Sequence, residues 1–449
     1  MSWKRGVGGR RHTVQRTETG VERTEVVIVG SGFGGLAAAK RLGRVGIRCV
    51  LISRTPEHLF QPLLYQVATG ILEPREIAAP IADVLRHYPS IDVRLGDVVG
   101  VDPDESVITY TDTTGAHQLA YRSLIVAVGA EQSYFGRDEF AERTFALKTL
   151  DDALRLRAQL ARVFAAADTT DDEQVRRRLR SFVVVGAGPT GVELAGQLEE
   201  LARRHFDRPI EVTLIEAAGL VLPPFGGRLS SYAKLRLAHR GVDVQLNTTV
   251  TDIDDRGVTV RDQKGREHLI EAETVVWSAG VQAGALARTL ADATGCATDR
   301  AGRLLVNQDL TVGGYANIYL IGDAAALHGY PGQSPVAMQA GRHVADVIRR
   351  VLDPGTRFVY HDKGSMAMVE RFAAVADLGR PFRLTGMIAW LLWLGVHLFY
   401  LVGFRNRVVA VASWAVAFIG DGRPGLEHLI AAAHRGETPV AGVKAAAPT

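Results

Sequence analysis

The chain has 449 residues, 47% of them hydrophobic and 22% charged, with a formal net charge of +3. At roughly 150 residues per domain the length allows about three domains, and the apolar content is ample for large cores, so the chain is globular. Two cysteines, Cys49 and Cys296, lie far apart in sequence; they fit a reducing compartment and exclude chemistry that needs a closely spaced redox-active thiol pair.

Residues 1–23 are basic, with Lys4, Arg5, Arg10, Arg11 and Arg16, but no apolar stretch follows. They read as a disordered tail with weak attraction to anionic lipid, neither a signal peptide nor a span, and no aromatic or motif support marks a nucleic-acid site. Next, Val26-Val27-Ile28-Val29 runs into Gly30-Ser31-Gly32-Phe33-Gly34-Gly35, then a helical pattern. A buried parallel strand meeting G-x-G-x-x-G and a helix is the context of a dinucleotide site, where glycines let the backbone approach and the helix start aims N–H groups at a pyrophosphate. The second strand, Cys49-Val50-Leu51-Ile52, ends on Ser53, where a carboxylate would be expected. Ser53 can still bond a ribose hydroxyl, at about half the strength of a charge-assisted bond.

The pattern then repeats: Phe182-Val183-Val184-Val185 enters Gly186-Ala187-Gly188-Pro189-Thr190-Gly191. Gly129, closing Leu124–Val128, follows Gly30 at nearly the spacing at which Gly280, closing Val275–Ala279, follows Gly186. Two similar modules predict two dinucleotides. In the second module the strand Glu211–Ile215 ends on Glu216, placed to accept from an adenosine ribose, and Ala217-Ala218-Gly219 offers no Arg for a 2′-phosphate. A carboxylate about 4 Å from a further negative charge costs on the order of 4 kcal/mol at an effective dielectric of 20, so NADH is expected over NADPH. A third element, Asn317–Ile321 followed by Gly322-Asp323, allots the first module to FAD, because an Asp there can bind the middle of a long ligand; alone it would read as a plain helix N-cap.

Residues 387–404 are eighteen nearly uninterrupted apolar or aromatic positions, followed by Arg405 and Arg407. As one helix they would reach about 27 Å, just short of a roughly 30 Å hydrocarbon core. The aromatics Trp390, Trp393, Phe399, Tyr400, Phe404, Trp414 and Phe418 suit interfacial anchoring. Helices lying in one leaflet's interface over 387–419 are the first reading, a single span the second and a buried core helix the third.

Five stretches together resemble type II NADH:quinone oxidoreductase: His58–Gly70 (HLFQPLLYQVATG), Gly188–Gly196 (GPTGVELAG), Trp277–Val281 (WSAGV), Asp362–Ser365 (DKGS) and Trp390–Arg407. The resemblance covers nearly all of residues 24–420. It implies a respiratory NADH dehydrogenase holding FAD non-covalently, passing a hydride from NADH to the flavin and two electrons to a membrane quinone without pumping protons, at the cytoplasmic face of the membrane as a peripheral or monotopic protein. Gly30, Gly32, Phe33, Gly34, Gly35, Ser53, Gly129, Gly322 and Asp323 then fall on FAD positions, and Gly186, Gly188, Pro189, Thr190, Gly191, Glu216 and Gly280 on NADH positions. Glu193 matches a glutamate facing the nicotinamide and flavin, and Lys363 a lysine at the flavin's pyrimidine edge, the two residues given catalytic roles. Where the family commonly has Ala-Gln-x-Ala before a helix, this chain has Ser334-Pro335-Val336-Ala337-Met338-Gln339; Pro335 cannot supply that hydrogen bond, which leaves Pro335, Ala337, Met338 and Gln339 as quinone neighbours. No metal is needed, a homodimer is left open, and the alternatives are a soluble FAD/NADH oxidoreductase using oxygen or a small carrier, or a flavin-bearing membrane redox sensor.

The expected fold is α/β: two Rossmann-like doubly wound domains plus C-terminal membrane-binding helices. A basic tail over 1–23 precedes an FAD-binding domain over 24–145 and 296–360, an NADH-binding domain over 146–295 inserted in it, and a membrane-associated region with a polar tail over 361–449.

Overall fold

The computed structural model describes residues 15–16, 20–205, 210–379, 381–420, 422–435 and 437. Most of the expected N-terminal tail and the polar end after 437 lie outside the described residues. The chain forms two compact units: Met1–His58, Pro80–Glu131 and Gln282–Asp362 make the first, and Leu59–Ala79, Gln132–Val281 and Lys363–Thr449 the second.

The first unit is built on a sheet in which Thr311–Val312, Tyr315–Leu320, Gly115–Val126, Glu22–Val29, Cys49–Ser53 and Ile91–Leu95 lie side by side. The inner pairs are parallel, with Val26 opposite Cys49 and Ser123, and Ile318 opposite Leu124. Val26–Val29, Leu124–Val126 and Ile318–Leu320 are buried, as strands covered on both faces must be; that is why each reads as an unbroken apolar run. The strand of the first glycine loop starts at Glu22, and Gln15–Arg16 pair with it antiparallel. Helix Phe33–Gly43 packs against helix Ser334–Ile348 so closely that a side chain on Gly341 would strike the Gly34 carbonyl.

The second unit carries a four-stranded parallel sheet in the order Val242–Leu246, Glu211–Glu216, Ser181–Val185, Thr274–Trp277. Thr249–Asp254, Gly257–Arg261 and Glu267–Glu271 add an antiparallel sheet. A third sheet, Ser365–Glu370, Ala373–Asp377 and Arg383–Thr385, lies against helix Pro189–His205, with Gly196 directly beneath the Val369 carbonyl.

The apolar segment forms two helices, as the first reading expected, Gly386–Tyr400 and Phe404–Phe418, broken at Gly403, whose φ of +95° suits glycine. The single span and the anchoring role of the aromatics need correction. Among the described residues no helix is long and apolar enough to cross a membrane. Of the aromatics taken as interfacial anchors, Trp390, Trp393, Trp414 and Phe418 are instead buried, and only Phe399 and Phe404, 70% and 82% exposed, point outward. Arg407 donates to the Phe399 and Leu401 carbonyls at 2.9 and 2.8 Å and so closes the end of the preceding helix. Burial beats anchoring because an indole facing a core gains packing on both faces; the Trp393 and Trp414 N–H groups also find acceptors there, whereas that of Trp390 is buried without one.

Candidate functional site

Each unit carries one glycine loop, and the two are built alike. Gly30 has φ +101° and Gly186 φ +100°, a region L side chains rarely enter. A Cβ on Gly35 would drive into the Gly30 carbonyl, and one on Gly191 into the Gly186 carbonyl; the helix can begin this close to its own loop only because the third glycine has no side chain. A Cβ on Gly32 or Gly188 would meet no protein atom within 4 Å. These middle glycines therefore border a space that an added side chain would fill, at the start of a helix.

In the first unit Gly32 is the N-cap of helix Phe33–Gly43, and no side chain caps that end. Ser53, at the end of its strand, is buried and shares a 2.8 Å hydrogen bond with the Ser31 hydroxyl. His58 Nδ1 lies 2.7 Å from the Ser31 carbonyl, and the ring sits edge-on to Phe33 at 5.3 Å; burial holds its pKa below the usual imidazole value. Gly129 has φ +68° with open space beside its Cα. Gly322 and Asp323 form the turn Gly322–Ala324 immediately after strand Tyr315–Leu320, and Asp323 is half-buried beside Gly332. Along helix Ser334–Ile348, Pro335 and Met338 are half-buried and Ala337 buried. The Gln339 amide is engaged on both sides, donating to the His361 carbonyl at 2.9 Å and accepting from its N–H at 3.0 Å. The structure thus gathers the residues expected at FAD and at quinone within this unit.

In the second unit Glu216 takes two backbone N–H groups, Ala187 at 2.7 Å on Oε2 and Ala218 at 2.8 Å on Oε1. A carboxylate so held ties the glycine loop to the strand that carries it. Pro189 and Thr190 open helix Pro189–His205. Ser278 Oγ bonds the Val185 and Gly186 carbonyls at 2.8 and 3.0 Å, pinning the loop from the neighbouring strand, and Gly280 at φ +73° lies under the Phe135 ring.

Glu193, one turn into the same helix, is only 7% exposed. Its Oε1 accepts from the Met368 backbone N–H at 3.1 Å and from Trp393 Nε1 at 3.2 Å, and burial pushes its pKa up to about 8. Lys363 stands exposed two residues before strand Ser365–Glu370, which brings Met368 to Glu193.

Sequence reasoning missed the surroundings of Glu193. Trp393 is fully buried and stacks on His397 with ring centres 4.0 Å apart; Trp414 lies 6.1 Å away and donates its N–H to Gln66 Oε1 at 2.7 Å. Gln66 in turn donates to the Tyr65 hydroxyl at 3.2 Å. Arg423, also buried, donates to the Thr69 carbonyl at 2.9 Å and to Gln197 Oε1 at 3.2 Å. Gln66 and Thr69 lie in one of the motifs that carried the resemblance, and an apolar stretch punctuated by Gln is the only trace this network leaves in the sequence.

A family model described as pyridine nucleotide-disulphide oxidoreductase matches residues 24–341. The sequence is 47% identical over 414 residues to "Type II NADH:quinone oxidoreductase Ndh" of Mycobacterium tuberculosis, with 89% of each chain covered. It is 28% identical over 448 residues to "External NADH-ubiquinone oxidoreductase 2, mitochondrial" of Saccharomyces cerevisiae, covering 89% of this chain and 82% of that one. Among solved structures, NDH2 from Plasmodium falciparum in complex with NADH has the same fold at TM-score 0.80 and 19% identity, covering 89% of this chain and 99% of that one. Despite the "disulphide" in the family description, Cys49 and Cys296 are free thiols.

Proposed function

Because the chain belongs to the pyridine nucleotide-disulphide oxidoreductases and, within them, to the type II NADH:quinone oxidoreductases, we propose that it is an NADH dehydrogenase with NADH as reductant, non-covalent FAD as cofactor and a membrane quinone as acceptor, pumping no protons. The observation that carries this reading is the duplicated loop, one copy in each unit, with Gly30 and Gly186 in the same left-handed conformation and open space at Gly32 and Gly188.

The first loop suits FAD. Its uncapped helix start offers N–H groups to a pyrophosphate, and the Ser31–Ser53 hydroxyl pair offers a ribose neutral hydrogen-bonding partners in place of a carboxylate. Gly30, Gly32, Phe33, Gly34, Gly35 and Gly129 would hold the dinucleotide, with Asp323 on its middle. When bound, FAD supplies the two-electron redox chemistry that links a nicotinamide donor to a quinone acceptor. The second loop, with Gly186, Gly188, Pro189, Thr190, Gly191 and Gly280, would hold NADH, and Glu216 would read its ribose while keeping Ala187 in place. Glu193 holds a proton below about pH 8 and releases it above, the range in which a group can exchange protons at physiological pH. Lys363 would place a positive charge where reduced flavin gathers negative charge. Pro335, Ala337 and Met338 would offer the quinone a largely apolar wall, with Gln339 securing the adjoining His361 backbone.

We also place the exposed side of helices Gly386–Tyr400 and Phe404–Phe418 against the lipid surface. Ile388, Leu391, Phe399, Phe404, Val408, Val411 and Ile419 are exposed there, and residues 386–420 contain no Asp or Glu; an exposed apolar patch of that kind marks a membrane or partner surface.

Stopped-flow mixing tests the activity. NADH should bleach the flavin absorbance of the purified holoprotein, and a quinone added in the second push should restore it within the turnover time. Flavin that stays reduced in the presence of quinone would overturn the reading.

A further inference from the structure

We propose that Trp393 is a positioning residue for Glu193, and that the Gln66–Trp414 hydrogen bond keeps the Trp393 indole where its N–H meets the carboxylate. The inference rests on the proposed role of Glu193 and goes beyond it. It gives two sequence-distant segments, Leu59–Ala79 and the C-terminal aromatic helices, a part in the chemistry as well as in packing.

Both donors to Glu193, Met368 N–H and Trp393 Nε1–H, meet the same oxygen, Oε1. Oε1 is an acceptor in both protonation states, so the proton that Glu193 binds is carried at Oε2. The Met368 donor belongs to the backbone of a strand and is fixed by its ladder, Met368 pairing with Ala374. The Trp393 donor is a side chain, and its direction depends on what holds the ring. One face stacks on His397, whose Nδ1 lies 2.8 Å from the Trp393 carbonyl, and Trp414 packs at a tilt of 51°. Trp414 is itself tied to Gln66, which is fully buried and whose backbone carbonyl also accepts from Ile71 and Leu72. Trp390, on the same helix as Trp393, is buried with its N–H unmatched, so the matched N–H groups of Trp393 and Trp414 are a specific arrangement and not what burial of an indole supplies by itself.

The titratable and charged groups around Glu193 come from each element packed against it. Tyr65, from helix Leu64–Ala68, is held well above the usual phenol range by burial and by Glu193 itself, and so is neutral. His397, behind the Trp393 ring, is pushed down to about 4 by burial and is also neutral. On the strand, Glu370 is paired with Arg236 and Arg240; on the helix of Glu193, Glu199 is paired with Arg203 and Glu200 with Arg204. Removing the indole N–H withdraws a bond that favours the carboxylate form, so the ionisation must move to higher pH.

The test is the pH profile of single-turnover flavin reduction by NADH in the holoprotein, measured for wild type, Glu193→Gln, Trp393→Phe and Gln66→Met. Glu193→Gln should remove the ionisation from the profile. Trp393→Phe keeps the ring and loses the donor, and should move the ionisation up by about one unit, the worth of one hydrogen bond. Gln66→Met should move it the same way by less. The carboxyl stretch of protonated Glu193 in the infrared should shift in Trp393→Phe, which a purely structural role would not require. If Glu193→Gln leaves the profile intact, the role of Glu193 falls and this inference with it. If Glu193→Gln abolishes the ionisation while Trp393→Phe and Gln66→Met leave both it and the carboxyl band in place, only the positioning role is overturned. Should Trp393→Phe lose its flavin, Gln66→Met decides alone: a displaced ionisation supports the proposal and an unmoved one refutes it.

Discussion

Glu216 shows how much one side chain can be asked to do. Its two oxygens already take the Ala187 and Ala218 N–H groups, so it shapes the loop before any nucleotide arrives. Glu216→Ala should therefore raise the KM for NADH through loop disorder as well as lost ribose contact, and should shrink the preference for NADH over NADPH. Hydrogen bonds to a charged group contribute about 1.5–3 kcal/mol each, so the change in kcat/KM should reach at least tenfold; an unchanged cofactor ratio would show that the carboxylate serves the loop alone. Ser53→Ala should cost little, about 1 kcal/mol for the neutral bond to Ser31, whereas Asp323→Ala should yield largely flavin-free protein. Measuring flavin content per chain after purification separates the two.

Glu193 also links the residue to stability. Its pKa in the folded chain, about 8, lies above the ordinary value of 4.5, so the native state holds a proton that the unfolded state has lost between those pH values. The stabilisation this provides is complete below pH 4.5 and is lost as pH rises toward 8. Melting temperatures of Glu193→Gln should therefore fall less than those of wild type between pH 5 and 8, and parallel curves would show that the carboxyl is not buried as described.

Among the elements, the C-terminal helices have two unlike sides, one buried and one exposed and apolar. The inward side holds Trp393 and Trp414, and the following helix Pro424–His434 places Leu426 against Gly70 and leaves no room for a side chain there. A chain cut after residue 380 consequently loses part of the core that holds Glu193, and should be unstable, not a soluble enzyme freed of its anchor. The membrane role is better tested on the outward side: Ile388→Glu with Leu391→Glu should abolish flotation with anionic vesicles while flavin reduction by NADH and the melting temperature stay near wild type. Flotation that survives both changes would deny the anchor. The contact between helix Pro189–His205 and strand Ser365–Glu370 is equally exacting. Gly196→Ala would force a methyl into the Val369 carbonyl, an overpacking that typically costs about 1–3 kcal/mol, and the displaced strand would carry Met368 away from Glu193; chemical denaturation together with the pH profile would register both.

For the molecule as a whole, each unit carries one loop, and ligands should protect them separately. In hydrogen exchange, FAD should slow amides around 26–36, 123–130 and 318–325, and NADH those around 182–193, 212–219 and 274–281. FAD protection confined to the second group would reverse the allotment. How much of this was legible from the sequence follows from the range of the forces involved. Local patterns determined the two nucleotide loops, the strands feeding them, the Gly-Asp turn and the apolar C-terminal segment, because backbone sterics, helix-start N–H groups and two-sided strand burial act over a few neighbouring residues. The tertiary structure alone decided which side of each C-terminal helix faces inward, that four of the aromatics are core, and that Gln66, Trp414, Trp393, Met368 and Glu193 form one buried network. Those partners come from four segments far apart in sequence, and an indole N–H finds its acceptor only after the chain has closed around it; composition reports that the groups exist, and only packing determines which of them must be satisfied by one another.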